Sequence, residues 1–523
     1  MNGGVRTSGL GPCTRRRASL VMALVAAFAR PAHAEPESTS APAMSAPPPS
    51  DTSGGLDAAA GPPSTGSLPA TPEAPRASRG EAARVPVLPG ELAKPEGVAG
   101  GSGNAAMPKL ERSVVEVDDK GFMLASADRS FLLKLRGLLQ VDGRFFTGND
   151  ALAAADTFLV RKLRISLDGT LFSFVDIKMV PELAGTAQVL DGYADLHPWP
   201  WLRLRVGKYK PPIGMERLQS DADRSFLEQS LVQNLSAQRD IGLSVWGEVG
   251  GGVFHYTIGV FNGAPDNSGS DVDSSHAKNI QGRVLLRPFR AAAEKTFGNL
   301  GMGFSAGTGN RKGRLPTATA AAATGLPVFR TSGQNAFFQY HAPSTDTTGI
   351  ATTFTHGRST RLNPQLYYFR GPFGLAGEYL WLSQGVQRGG STTQLRHQAA
   401  SATFSFVVKG TQSYEGPTPG SGFDLAKGTV GAFEVAARWS GIWLDGATFG
   451  DPNVPDSVPY ANPAASAKSA QSYGGVVSWI PRRTFRISAS FERTHFKGGA
   501  GTTAAPTDRP AENVIIARTQ ANF

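Results

Sequence analysis

The residues best suited to chemistry in this chain are lysines and arginines at every second position of alternating segments. Lys134, Arg136 and Arg144 share the polar face of one segment, Lys162 and Arg164 that of the next, and Arg203 and Arg205 another. Arg283, Arg287, Arg438, Arg486 and Arg518 repeat the pattern further on. Guanidinium groups bind oxyanions in bidentate fashion, and rings of Arg and Lys in a pore concentrate anions. Asp142, Asp168, Asp176, Asp191, Asp195, Glu434 and Glu492 fall on the same faces. The alternative is therefore a wall of balanced ion pairs, and parity alone leaves both readings open.

A second basic group surrounds the connection 209–238, which lacks strand character and is long enough to be functional. It brings Lys208, Lys210, Arg217, Arg224 and Arg239 together with Glu216, Asp221, Asp223 and Glu228. Ser225 and Glu228 have capping-box spacing, and Leu227, Leu231 and Leu235 recur at helical spacing. A short helix over 226–235, packed on an inner wall and narrowing a pore, is the expectation. The basic residues would then line a constriction, unless the four acids pin the loop by ion pairs.

Catalysis finds no support. His255, His276, His341, His356, His397 and His495 show neither metal spacing nor a neighbouring nucleophile motif, and Gly250–Gly252 reads as a tight turn rather than a phosphate loop. No cofactor, metal site or enzymatic activity is expected.

These side chains need strands to position them. Ile515, Ala517, Thr519, Ala521 and Phe523 occupy one face of the last segment, with Ile516, Arg518, Gln520 and Asn522 on the other. Segments 485–492, 164–171 and 433–439 alternate likewise, as successive side chains in a strand must. About sixteen such segments of roughly ten residues follow residue 114, one of them beginning near 333. Short and long connections separate them, and Trp199, Trp201, Trp381, Trp439, Trp443 and Trp479 stand near segment ends. This is the pattern of an all-β, 16-stranded antiparallel transmembrane barrel. Charged side chains are costly on a lipid face, so the basic positions are assigned to the lumen. Phe523, a terminal aromatic on an outward face, suits a signal to a barrel-assembly machinery.

Arg15–Arg17, the apolar run Ala18–Phe28 and Ala32-His33-Ala34 make residues 1–34 an export signal. Residues 35–113 are rich in Pro and Ala, with Pro47-Pro48-Pro49 and almost no aromatic residue, and cannot bury enough apolar surface to order themselves. They read as a periplasmic tether, either a spacer or an arm touching the cell wall. The single cysteine, Cys13, lies before the apolar run. Of the formal +10 charge, much remains in the barrel, spread rather than clustered, so nucleic acid is not an expected partner.

Several blocks resemble the phosphate-selective porin O and P family. They are 137–145 (Gly-Leu-Leu-Gln-Val-Asp-Gly-Arg-Phe), 158–164 running on through 172–178, and above all 206–217 (Val-Gly-Lys-Tyr-Lys-Pro-Pro-Ile-Gly-Met-Glu-Arg). Ser225–Leu231 and Arg239-Asp240-Ile241-Gly242 continue the likeness. The resemblance implies a 16-stranded outer-membrane barrel, usually trimeric, passing small anions such as phosphate or polyphosphate through the lipid bilayer by passive diffusion. Related members differ in selectivity, so a general or differently selective porin is the alternative, followed by a structural barrel whose tether is the working part. The long Pro/Ala tether is a departure from the family pattern.

Overall fold

The computed structural model describes residues 113–118, 121–148, 155–264, 277–290, 296–314, 324–343, 346, 350–450 and 457–523. The export signal and the tether of the sequence reading lie outside the described residues. A hairpin of β1 (Val114–Asp118) and β2 (Gly121–Ala125) comes first. There follow β3 (Leu132–Thr147), β4 (Thr157–Leu171), β5 (Val175–Glu182), β6 (Gln188–Trp199), β7 (Leu202–Tyr209), β8 (Asp240–Val249), β9 (Phe254–Phe261), β10 (Asn279–Leu286) and β11 (Leu300–Lys312). After the short pair β12 (Phe329–Arg330) and β13 (Ala336–Phe338) come β14 (Phe354–Arg370), β15 (Phe373–Arg388) and β16 (Ser391–Val408). A second short pair, β17 (Gly410–Thr411) and β18 (Thr418–Pro419), precedes β19 (Ala432–Trp443), β20 (Ala467–Arg482) and β21 (Phe485–Gly501). The three-residue β22 (Pro506–Asp508) precedes the final β23 (Glu512–Asn522).

Sixteen of these strands form an antiparallel barrel. Each pairs with the next along the chain, from β3–β4 through β21–β23, and β23 closes the circle by pairing Asn513–Asn522 with β3. Closure leaves no sheet edge in the wall, the condition for spanning lipid with strands. At Phe523 the closure is doubly bonded, its carbonyl accepting from Gly137 N at 3.0 Å and its N–H donating to Gly137 O at 3.2 Å.

The period of two decides what each strand faces. Along β21, Arg486, Ser488, Ser490, Glu492 and Thr494 are buried, whereas Ile487 and Phe491 are exposed. Here the polar face is the covered one. The exposed apolar face continues around the barrel through Leu139, Val141, Ile165, Val206, Leu243, Ile258, Phe404, Val435, Val477 and Ile515, and is the lipid-facing belt.

Two expectations need correction. The segment near 333 is not a wall strand: its Phe329, Phe337 and Phe338 are at most 1% exposed, in a connection folded into the barrel. The wall strand begins instead at Phe354. Nor does a helix form over 226–235. Only a 3-10 turn, Leu231–Asn234, is present there, and a single α-turn stands earlier at Met215–Leu218. Ser225 Oγ donates to Glu434 Oε1 (2.5 Å) in the wall, and Glu228 also turns to wall side chains, so neither serves as a cap.

Candidate anion site in the lumen

The connection 210–239 is folded inward and held by two kinds of contact. Ile213, Leu231, Val232, Leu235 and Ala237 are nearly inaccessible. They share one apolar cluster with Leu380, Leu382 and Val386 of β15, Leu395 and Ala399 of β16, and Ile442 of β19. Phe329, Phe337, Phe338 and Tyr340 of a second inward connection, with Phe449 and Tyr460 of a third, complete that cluster. The β15–β20 side of the interior is thus filled with side chains.

The polar contacts of the loop reach both β3, β4 and β23 and, through Asn363, Glu378, Glu434 and Arg438, β14, β15 and β19. Glu228 is the best anchored: its carboxylate accepts from Arg144 Nη2 (2.7 Å), Arg161 Nε (2.6 Å) and Arg518 Nη2 (3.1 Å). Burial alone would raise its pKa, but these three guanidinium groups, Arg161 foremost, hold the carboxyl far below the usual range. Asp221 plays the same part for Lys162 (2.7 Å), Arg164 and Arg224 (2.6 Å). Its burial too is outweighed by the surrounding cations, and its pKa falls well below normal. Glu216 accepts from Arg438 at 3.1 Å, and Arg438 also binds Glu492 at 2.9 Å. From the end that carries the tight turns, Tyr414 Oη donates to Met215 O at 2.7 Å.

The sequence-predicted basic residues therefore divide. Arg144, Lys162, Arg164, Arg224, Arg438 and Arg518 line the interior in close ion pairs. Arg203 and Arg205 share Asp195, and Arg203 also reaches Asp176. Arg486 stands 3.8 Å from Glu434 and donates to Arg224 O. Arg239 makes a forked pair with Asp191 (2.9 and 3.2 Å). Lys208 is buried at the end of β7. Arg283 donates to the neutral Gln365 Oε1 at 3.0 Å. Lys134 is half-buried near the start of β3, and Arg136 pairs there with Asp168. Arg287 departs from the expectation: it lies beyond the end of β10 and binds Glu248 and Gly252 O of the β8–β9 turn, at the rim.

Among the described residues, Lys210 and Arg217 of the loop hold no carboxylate. Lys210 Nζ donates to Gln219 O at 3.1 Å. Arg217 donates to Gln229 Oε1 at 3.3 Å and to Gln238 Oε1, while its Nε is buried without a partner. The Nε of neighbouring Arg224 is orphaned too. Lys210 and Arg217 lie within electrostatic reach of each other and of Arg224 and Arg239. Burial, then repulsion from Arg239, Arg217 and Arg224, bring Lys210 down to about 7 despite the attraction of Asp221. Burial and Arg239 bring Arg217 down to about 10. In both, burial foremost and then the neighbouring cations disfavour the charged form.

Sequence parity missed Arg161. At Gln140/Val141 the β3–β4 register slips, Gln140 facing Lys162 and Val141 facing Val160, so Arg161 is the extra residue of a bulge. The bulge lets Arg161 and Lys162, adjacent in sequence, both reach loop carboxylates on the inner side. A basic pair interrupting the alternation of β4 was the only signal.

The closed barrel, the inward loop between the fifth and sixth wall strands and the Arg/Lys-rich interior coincide with a match over nearly the whole described chain. The profile of phosphate-selective porin O and P matches residues 133–523. The chain belongs to this family. No curated protein matches in sequence. Among solved structures, a loop-deletion mutant of OmpT from Vibrio cholerae is similar at 12% identity, covering 75% of this chain and 100% of that one, with a TM-score of 0.46. The outer-membrane channel DcaP of Acinetobacter baumannii is 8% identical over 75% of this chain and 98% of its own (TM-score 0.44). OmpF of Salmonella typhi is 9% identical over 78% and 100% (TM-score 0.42). The protein is a porin of the outer membrane.

Proposed function

We propose that this porin passes small anions, inorganic phosphate first, by passive diffusion past Lys210 and Arg217. The observation that carries the reading is that these two cations of the inward loop are bonded only to neutral oxygens, beside the orphaned donor of Arg224. The apolar cluster occupies the β15–β20 side of the interior, and the reading takes the solute past the cations that remain beside it. A transient oxyanion would satisfy the unpaired N–H groups, while Asp221 and Asp191 on the neighbouring Arg224 and Arg239 keep its binding weak enough for release. Assembly as a homotrimer, export by residues 1–34 and recognition of Phe523 by the assembly machinery complete the proposal.

The test is chloride current through single channels while phosphate is titrated. Millimolar block that vanishes in Lys210→Met/Arg217→Met supports the reading, and no block at any concentration overturns it. The dense ion pairing on the same wall favours the second reading, a weakly selective porin, and that channel would conduct phosphate without block.

Two further outcomes follow. Asp221→Asn removes the carboxylate shared by Lys162, Arg164 and Arg224, while Glu228 still anchors the loop. Phosphate block should strengthen by roughly tenfold, about the 1.4 kcal/mol that one added charge-assisted contact supplies. The pH dependence is set by Lys210. Its pKa lies below the ordinary lysine value, so the charge is present at pH 6 and lost as pH rises through about 7. Anion preference measured in chloride should therefore fall between pH 6 and 8.5, and Lys210→Arg should abolish that fall.

A further inference from the structure

The family match begins at residue 133, yet the β1–β2 hairpin before it is joined to the barrel wall. The β23–β3 ladder runs to Leu138, with Phe523 still bonded to Gly137, and β2 then takes up the same edge, pairing Phe122–Ala125 with Leu132–Leu135. The hairpin extends the wall at the end that carries the tight turns and the carboxyl terminus. Phe122 meets the Phe523 ring edge-on, with ring centres 5.9 Å apart.

Register fixes which way its side chains face. One row runs Val117, Phe122, Leu135, Leu167, Met179, and the next runs Val115, Leu124, Leu133, Gly169, Ile177. Both rows continue, strand by strand, into the lipid-facing belt. Val115 and Val117 are 71% and 65% exposed, Phe122 and Leu124 50% each. The row between them is polar at its ends, running Glu116, Met123, Lys134, Asp168, with Glu116 paired to Arg129 at 3.5 Å. Phe131 and Phe172, stacked edge-on at 5.2 Å, border the patch as interfacial aromatics do. A contiguous apolar surface of this kind does not stay in water.

We propose that the hairpin 114–125 lies against lipid, with Val115, Val117, Phe122 and Leu124 in the acyl-chain and glycerol region of the leaflet at the turn end. Unbroken register with the belt is the argument for lipid over a second protein chain. The hairpin would shield the barrel's closing seam, where β23 ends short of the rim, and fix the first strand in the bilayer.

Cys13→Ser leaves no cysteine, so single cysteines at Val115, Glu116 and Val117 can carry an environment-sensitive fluorophore in the full-length protein. The protein is reconstituted in phosphatidylethanolamine/phosphatidylcholine vesicles with or without doxyl-labelled lipid, and heat-modifiable migration confirms that each variant is folded. Labels at 115 and 117 should emit at shorter wavelength and be quenched at least twofold more by doxyl lipid than the label at 116. Quenching of 115 and 117 by aqueous iodide would place the hairpin in water. Shielding from both quenchers would place it against another chain, and either result overturns the proposal.

Discussion

Replacing Lys210 and Arg217 together by glutamate should reverse the sign of the proposed selectivity, from anions to cations. The two substitutions change the fixed charge of the proposed constriction by four units at a place where Arg224 and Arg239 are already paired with Asp221 and Asp191. A unit charge acting on an ion at ~4 Å is worth about 1 kcal/mol in bulk water and about 4 kcal/mol near a protein wall. Even the smaller figure, partly screened, moves the anion-to-cation permeability ratio by more than roughly tenfold. The apolar anchors of the loop, Ile213, Leu231, Val232 and Leu235, are untouched, so unit conductance should change less than selectivity. Reversal potentials across a salt gradient read the result directly. A double variant that kept the wild-type preference would move the site elsewhere on the wall.

The second large effect is expected at Glu228, and it concerns the loop rather than the ion. Glu228→Gln leaves Arg144 and Arg518, both about 95% buried, facing each other and Arg161 without the carboxylate that all three share. Removing one partner of a buried ion pair typically costs about 3–5 kcal/mol, because the remaining charges stay desolvated. Asp142 still accepts from Arg518 and Arg144, so the loss should fall at the lower end of that range. The expected outcome is noisy, higher conductance as the 222–230 stretch detaches, together with a lower midpoint for thermal loss of the folded form. Arg161→Gln, which keeps two of the three partners, should show a smaller version of both effects. Wild-type noise and midpoint in Glu228→Gln would show that the apolar cluster alone holds the loop.

The barrel was legible because lipid imposes a strict rule on each wall strand: every second residue must be apolar. That rule places Arg144, Lys162, Arg164, Arg438, Arg486 and Arg518 on the inner side. It fails where the chain obeys another constraint. At Arg161 a bulge adds one residue and turns two successive basic side chains the same way. At Phe337 and Phe338 consecutive aromatics serve a loop buried from both sides, so alternation there says nothing about the wall. Ser225 and Glu228 have the spacing of a capping box, but guanidinium groups on β3, β4 and β23 bind a carboxylate more strongly than a helix N–H can, and the helix does not form. The length and leucines of the 209–238 connection carried the expectation that it packs on the wall, and Leu231 and Leu235 do lie in the apolar cluster with β15, β16 and β19. Which cations remain without a carboxylate was not legible, because their partners are set by pairs as distant as Arg144 with Glu228 and Arg518 with Glu228.

The central claim is that Lys210 and Arg217 leave the constriction with uncompensated positive charge. The most direct test is the zero-current potential of the wild-type channel across a tenfold potassium chloride gradient at pH 6, where Lys210 is protonated. A potential of the sign carried by chloride, weakening at pH 8.5, is the predicted result. A cation-selective potential, or one that does not change with pH, contradicts the account.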